Sequence, residues 1–184
     1  HTHKSYFEIK NWITKKISDE NVRNIAQEIY KLIAVAEAKV HGKRVNSIKF
    51  HEVGEWDSLI DILSSAFLID KLNSNWIIGK VPLGNGTVLT RHGLLPIPVP
   101  AACEILKERF EFYDDGFEGE RVTPTGAAII RYLNDHLKTS FKPTTLISIG
   151  YGLGSRKKNE YSNFLRLNAY KKNISEKNMI NDQV

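Results

Sequence analysis

Apolar residues recur at helical spacing through the first third of the chain. Phe7, Ile9, Trp12, Ile13 and Ile17 outline one helix, and Ser18-Asp19-Glu20-Asn21 punctuates it. Val22, Ile25, Ile29, Leu32, Ile33, Ala36 and Val40 form a longer stripe that ends at His41-Gly42. Glycine suits a left-handed cap there and histidine suits the negative end of a helix, so His41 reads as a last-turn residue rather than a ligand. The period then shortens. Ile48, Phe50 and Val53 predict the apolar side of a strand broken by Gly54, and Asp57-Ser58 opens a helical run through Ile60, Leu63, Phe67 and Leu68.

Further on, short strands alternate with helices. Trp76 to Leu83 and Thr87 to Thr90 flank Gly84-Asn85-Gly86, which predicts a hairpin closed by Arg91-His92-Gly93, with His92 at a strand end. Pro96, Pro98 and Pro100 alternate with Ile97 and Val99 and force a stiff, extended segment, after which a helix from about Ala101 carries Ile105 and Leu106 inward. Phe110 to Val122 predicts two short strands around Asp114-Asp115-Gly116. Thr123 as N-cap and Pro124 at the first helical position start another helix. Leu146 to Ile149 and Phe164 to Leu167 read as strands. The fold class is therefore α+β: helices followed by a mixed sheet with at least one hairpin. Residues 1–170 are expected to form a single domain, with 171–184 a basic, flexible tail.

Composition narrows the classes. Of 184 residues, 41% are hydrophobic and 26% charged, as in ordinary globular proteins, and no apolar run reaches the roughly 20 residues that span a bilayer. Cys103 is the only cysteine, which excludes an intrachain disulfide and a thiolate-rich metal site. With no signal peptide in view, a cytoplasmic protein is expected. The start at His1 rather than methionine reads as a piece of a longer product. Most of the net charge of +5 follows Tyr151, where Arg156, Lys157, Lys158, Arg166, Lys171, Lys172 and Lys177 outnumber Glu160, Glu176 and Asp182. The body is nearly neutral and carries no zinc finger, helix-turn-helix or RNP signature, which argues against a nucleic-acid partner.

The richest chemistry lies in KFHEVGEWDSLID, Lys49 to Asp61. His51 and Glu52 fall at the strand end, Glu55 in the turn, and Asp57 and Asp61 four apart on one helix face. Imidazole with carboxylate oxygens suits a first-row divalent metal such as nickel, zinc or manganese, without choosing among them. A plainer reading stays open, with Asp57 an N-cap, His51 a satisfied core histidine and Asp61 solvated. The Thr123-Pro124-Thr125-Gly126 helix start offers free amides, two hydroxyls and a glycine to an anion, or is simply well capped. Gly150, Gly152 and Gly154 precede Arg156 and Lys157, as in a phosphate-holding loop; a bulged hairpin explains the glycines equally well.

Several segments in order carry a resemblance. KFHEVGEWDSLIDI (Lys49 to Ile62), PLGNG (Pro82 to Gly86), RHGLLPIPVPAA (Arg91 to Ala102), GERVTPTGAAI (Gly119 to Ile129) and IGYGLGSR (Ile149 to Arg156) together resemble the LarC family of nickel-insertion proteins. The resemblance implies a CTP-dependent cyclometallation, a lyase-class reaction. Nickel enters pyridinium-3,5-bisthiocarboxylic acid mononucleotide through carbon–nickel and sulfur–nickel bonds. The product is the nickel-pincer nucleotide, and a nickel-dependent racemase such as lactate racemase is its recipient. On the matching motifs, residue chemistry makes His51, Asp57, Asp61 and His92 candidate metal ligands and Glu52 the candidate base. Thr123, Thr125, Gly126, Arg156 and Lys157 are candidates for the substrate phosphate. The chain departs from the family at Lys49, where a histidine is usual, and at Leu94, where a basic residue is common; only His1 and His3 remain of a histidine-rich lead-in. The family's amino-terminal start is missing, as is the carboxy-terminal domain to which CTP binding belongs, so a separate chain supplying that domain is a further expected partner. Two alternatives stay open: a non-catalytic nickel or nucleotide carrier, and an inactive fragment.

Overall fold

The computed structural model describes residues 4–50, 56–136, 145–154 and 163–171. They belong to two compact units, His1–Lys138 and Thr139–Val184.

The first unit is built around one long helix. Ser5 starts α1 (Tyr6–Lys16) with a capping box: its hydroxyl accepts from the Glu8 amide while Glu8 reaches back to the Ser5 amide. Asp19 caps α2 (Glu20–Val40) by accepting from the Val22 amide. Val22, Ala26, Ile29, Tyr30, Ile33 and Ala34 are buried on α2, which packs against α1, α3 (Trp56–Leu72), α4 (Pro100–Leu106) and α5 (Pro124–Asp135). Alanines at 26, 34, 36 and 38 let these neighbours approach closely. Gly42 ends the helix in the predicted left-handed conformation, at φ +60°. Two expected core residues lie outside, however: Phe7 is 61% and Val40 42% exposed. Tyr6 takes the inward place of Phe7, one position earlier on the helical wheel.

The α3 stripe also differs from expectation. Leu59, Ile62 and Ala66 are buried, whereas Ile60, Phe67 and Leu68 are exposed. Apolar residues surround this helix, so periodicity alone does not define its inner face. Before it, Ile48 and Phe50 are buried as predicted, but the strand is reduced to a bridge between Ser5 and Lys49. Val53 and Gly54 lie outside the described residues.

The strands are short, and the mixed pairing takes the form of two-stranded pairs among the described residues. β1 (Val81–Pro82) runs parallel to β5 (Phe112–Tyr113), and β2 (Gly84–Asn85) antiparallel to β6 (Gly119–Glu120). β3 (Thr87–Thr90) pairs with β4 (Gly93–Pro96). The hairpin turn is thus Arg91-His92, not Gly84-Asn85-Gly86. The reason is visible at Gly84, whose φ of +70° and pairing with Glu120, so close to the Gly119 carbonyl that no Cβ would fit, turn the chain towards β6. The proline segment is extended in β4 only as far as Pro96; it bends at Ile97-Pro98, whose peptide is cis, and enters α4 at Pro100, with Ile105 and Leu106 buried as predicted.

The second unit is a ribbon of β7 (Leu146–Leu153) and β8 (Phe164–Tyr170), antiparallel, with an irregularity between Leu146 and Ser148. The helices and the antiparallel pairs fit the α+β class. No helix among the described residues is long and apolar enough to cross a membrane.

Candidate functional site

His51 and Glu52 lie outside the described residues, so the site is built here from its neighbours. Trp56 begins α3, one residue earlier than predicted, which puts Asp57 inside the first turn rather than at the cap. A carboxylate there complements the positive helix end. Asp57 and Asp61 are both exposed and share a face. Beside them Trp56 meets the Trp12 ring edge-on, at 5.8 Å between centroids, and the Lys4 ammonium lies 4.0 Å from the Trp56 ring centre. This aromatic and basic flank steadies the helix start.

Asp61 also acts on the interior. Tyr30, at 1% exposure, packs on Phe50 and has no hydrogen-bond partner for its hydroxyl among the described residues. Burial, and secondarily the Asp61 charge, pushes its pKa up. A buried phenol that donates to nothing is unusual. It sits beneath the chain just before His51, and the hydrophobic pattern gave no sign of it, because an aromatic ring in a core stripe reads as packing.

His92 is placed elsewhere. Its turn is braced by Thr90, whose hydroxyl accepts from the His92 amide at 3.0 Å and donates to the Gly93 carbonyl at 3.0 Å. Gly93 holds φ +93°, which L side chains rarely adopt. The His92 ring lies 4.9 Å from that of His41, the residue that closes α2, and His41 Nε2 is 3.2 Å from Glu37 Oε2. Tyr30, beside Asp61, precedes His41 by eleven residues of α2, about 16 Å of helical rise. Among the described residues no three His, Cys, Asp or Glu side chains are already grouped about a metal position. The two aspartates stand in the first turns of α3, while His92 meets His41, which in turn meets Glu37.

At the α5 start the Thr123 hydroxyl accepts from the Gly126 amide at 3.2 Å, the N-cap predicted from the sequence. That bond engages one amide an anion would use. Thr125 and Gly126 are half-buried beside it. Of the predicted phosphate ligands, Arg156 and Lys157 lie outside the described residues. Gly150 pairs with Leu167 and Gly152 with Leu165 within the ribbon, whose irregularity falls earlier, between Leu146 and Ser148, and Gly154 follows the end of β7. A recess of about 390 Å³ lined by Arg44, Val45, Asn46 and Ser47 includes none of the predicted ligands.

Comparison with known proteins bears on what these localities serve. A family profile described as "Nickel insertion protein" matches residues 1–184. A Methanocaldococcus jannaschii protein with a nickel-insertion designation is 43% identical over 155 residues, covering 83% of this chain and 40% of its own length. Proteins of Staphylococcus saprophyticus and Geobacillus kaustophilus bear the name pyridinium-3,5-bisthiocarboxylic acid mononucleotide nickel insertion protein. The first is 37% identical over 171 residues, covering 92% of this chain and 43% of its own length. The second is 38% identical over 170 residues, covering 91% and 40%. This chain thus spans less than half the length of these curated relatives. No solved structure matches.

Proposed function

This chain belongs to the nickel insertion protein family, and from that premise we propose that it is the nickel-handling part of a protein that metallates pyridinium-3,5-bisthiocarboxylic acid mononucleotide. The observation that carries this reading is the family match along all 184 residues, supported by relatives named for that substrate. Nickel is the cargo. His51 with Asp57 and Asp61 presents it to the substrate, and His92 takes part from the far end of α2. Exposed carboxylates four apart on a helix suit a hydrated cation that must be taken up and released again.

Insertion at carbon breaks one ring C–H bond. The electron pair forms the carbon–nickel bond, two thiocarboxylate sulfurs bind the same ion, and the proton goes to a base, the role given to Glu52. The helix start at Thr123, Thr125 and Gly126, with Arg156 and Lys157, holds the substrate phosphate. CTP drives the lyase-class reaction, and a nickel-dependent racemase receives the product.

The test is mass detection of metallated mononucleotide after incubating the chain with nickel, CTP, substrate and a complementing carboxy-terminal domain. Metallated product is expected, with Asp57→Asn/Asp61→Asn lowering its yield at least tenfold. Absence of product with every component present overturns the reading. Nickel uptake without product supports the carrier alternative.

A further inference from the structure

We infer that Glu37, His41 and His92 form a divalent-cation site at the C-terminal end of α2, separate from the Asp57–Asp61 locality. Its existence rests on geometry; only the choice of nickel rests on the function proposed above. Glu37 and His41 are four apart on one helix face, the spacing at which two side chains of a helix hold one ion. Their separation of 3.2 Å, carboxylate oxygen to ring nitrogen, shows that they already reach each other. His92 arrives from a distant stretch of sequence and lays its ring 4.9 Å from His41, the planes 47° apart. Two imidazoles and a carboxylate are a donor set for first-row divalent ions.

The helix end and the turn are each ordered by their own backbone. The His41 amide donates to the Glu37 carbonyl at 2.9 Å, so the last helical turn is intact. Thr90 and Gly93 fix the turn that carries His92, as described above. A site on a helix end and a braced hairpin holds its geometry better than one on free loops. Access is suitable too: the His41 side chain is 31% and that of Glu37 20% exposed, and His92 is exposed.

The donors do not yet converge on one centre. Glu37 and His92 have other interactions, which a cation must displace. Convergence calls for rotation of these side chains about their χ angles. In the cation-free arrangement the carboxylate–imidazole contact holds two donors in reach of each other. The site would then serve as a station where nickel is captured before it passes to the aspartates of α3.

The experiment uses the full chain with isotope-labelled histidine, titrated with Ni²⁺ and followed by histidine ring resonances. Paramagnetic broadening of the His41 and His92 signals together, at less than one equivalent, is expected. His41→Gln and His92→Gln should each weaken this uptake about tenfold or more, and Glu37→Gln should do so by a similar factor. Thermal unfolding of each variant confirms that it is folded. Broadening confined to other histidines, or unchanged uptake in both folded histidine variants, overturns the proposal. Product formation without His41 and His92 broadening removes this site and leaves the family reading intact. Broadening without product under complete conditions does the reverse.

Discussion

The middle of α2 and its C-terminal end use one helix for opposite purposes. Around Ile29, Tyr30 and Ile33 the side chains are buried, on a helix that packs against four others. Eleven residues after Tyr30 the same helix ends in an exposed histidine facing a second histidine and a glutamate. The middle contributes stability through apolar burial; the end contributes donor atoms and little packing. The difference separates what holds this fold from what equips it, and substitutions should divide accordingly.

The largest effect is expected in the middle. Ile33→Ala removes a side chain with 0% exposure and should destabilise the unit by about 2–5 kcal/mol in chemical denaturation. Nickel uptake by the still-folded fraction should be unchanged; a selective loss of uptake would blur the two regions. At the end the pattern inverts. His92→Gln should shift unfolding by under about 0.5 kcal/mol. Its cost in nickel affinity, about tenfold or more, corresponds to at least about 1.4 kcal/mol.

Thr123→Ala should cost about 1 kcal/mol through loss of the cap on the Gly126 amide, and Thr123→Ser should restore it. If the serine variant regains stability but not substrate affinity, the threonine does more than cap. The sharpest test of the interior is small. Tyr30→Phe removes a buried hydroxyl with no partner among the described residues, so stability should stay level or rise by up to about 1 kcal/mol. A marked loss in thermal unfolding would show that the hydroxyl has a partner within the folded chain.

Acid should act at the helix starts. The Ser5 amide holds the Glu8 carboxyl below its usual range, and the Val22 amide does the same for Asp19. Carboxyls lowered by folding add stability that is present above the ordinary carboxylate range and lost as pH falls through their folded values. Asp19→Asn should keep the cap at neutral pH and flatten the fall of Tm between about pH 5 and 3. An unchanged acid limb would remove Asp19 from the account.

Local signals made much of the fold legible. Thr123 as a cap, Pro124 as a first helical residue and Gly42 as a stop all act where the sequence placed them, because each is decided by its own backbone. Partner choice was not legible. Gly84-Asn85-Gly86 resembles a hairpin turn, but pairing with Gly119-Glu120 takes the chain to another strand, a nonlocal effect. The inner face of α3 was hidden by apolar residues on all its sides.

The candidate site divides in the same way. A compact motif drew Asp57 and Asp61 together correctly, since a helix fixes residues four apart. His41 was read only as a helix end, which it is. Its approach to His92 depends on the fold bringing the β3–β4 turn to the end of α2, and spacing carries no trace of that. Gly150 and Gly152 fall within a strand, and their residue type did not decide this, since glycine permits a phosphate loop and a strand alike.

The most direct test of two localities on one helix is a calorimetric nickel titration of the folded Asp57→Asn/Asp61→Asn chain, repeated after adding His41→Gln and His92→Gln. The account predicts that the first variant keeps a nickel-binding phase and that the histidine changes remove it. Complete loss of uptake in the aspartate variant, or an isotherm indifferent to both histidines, would contradict it.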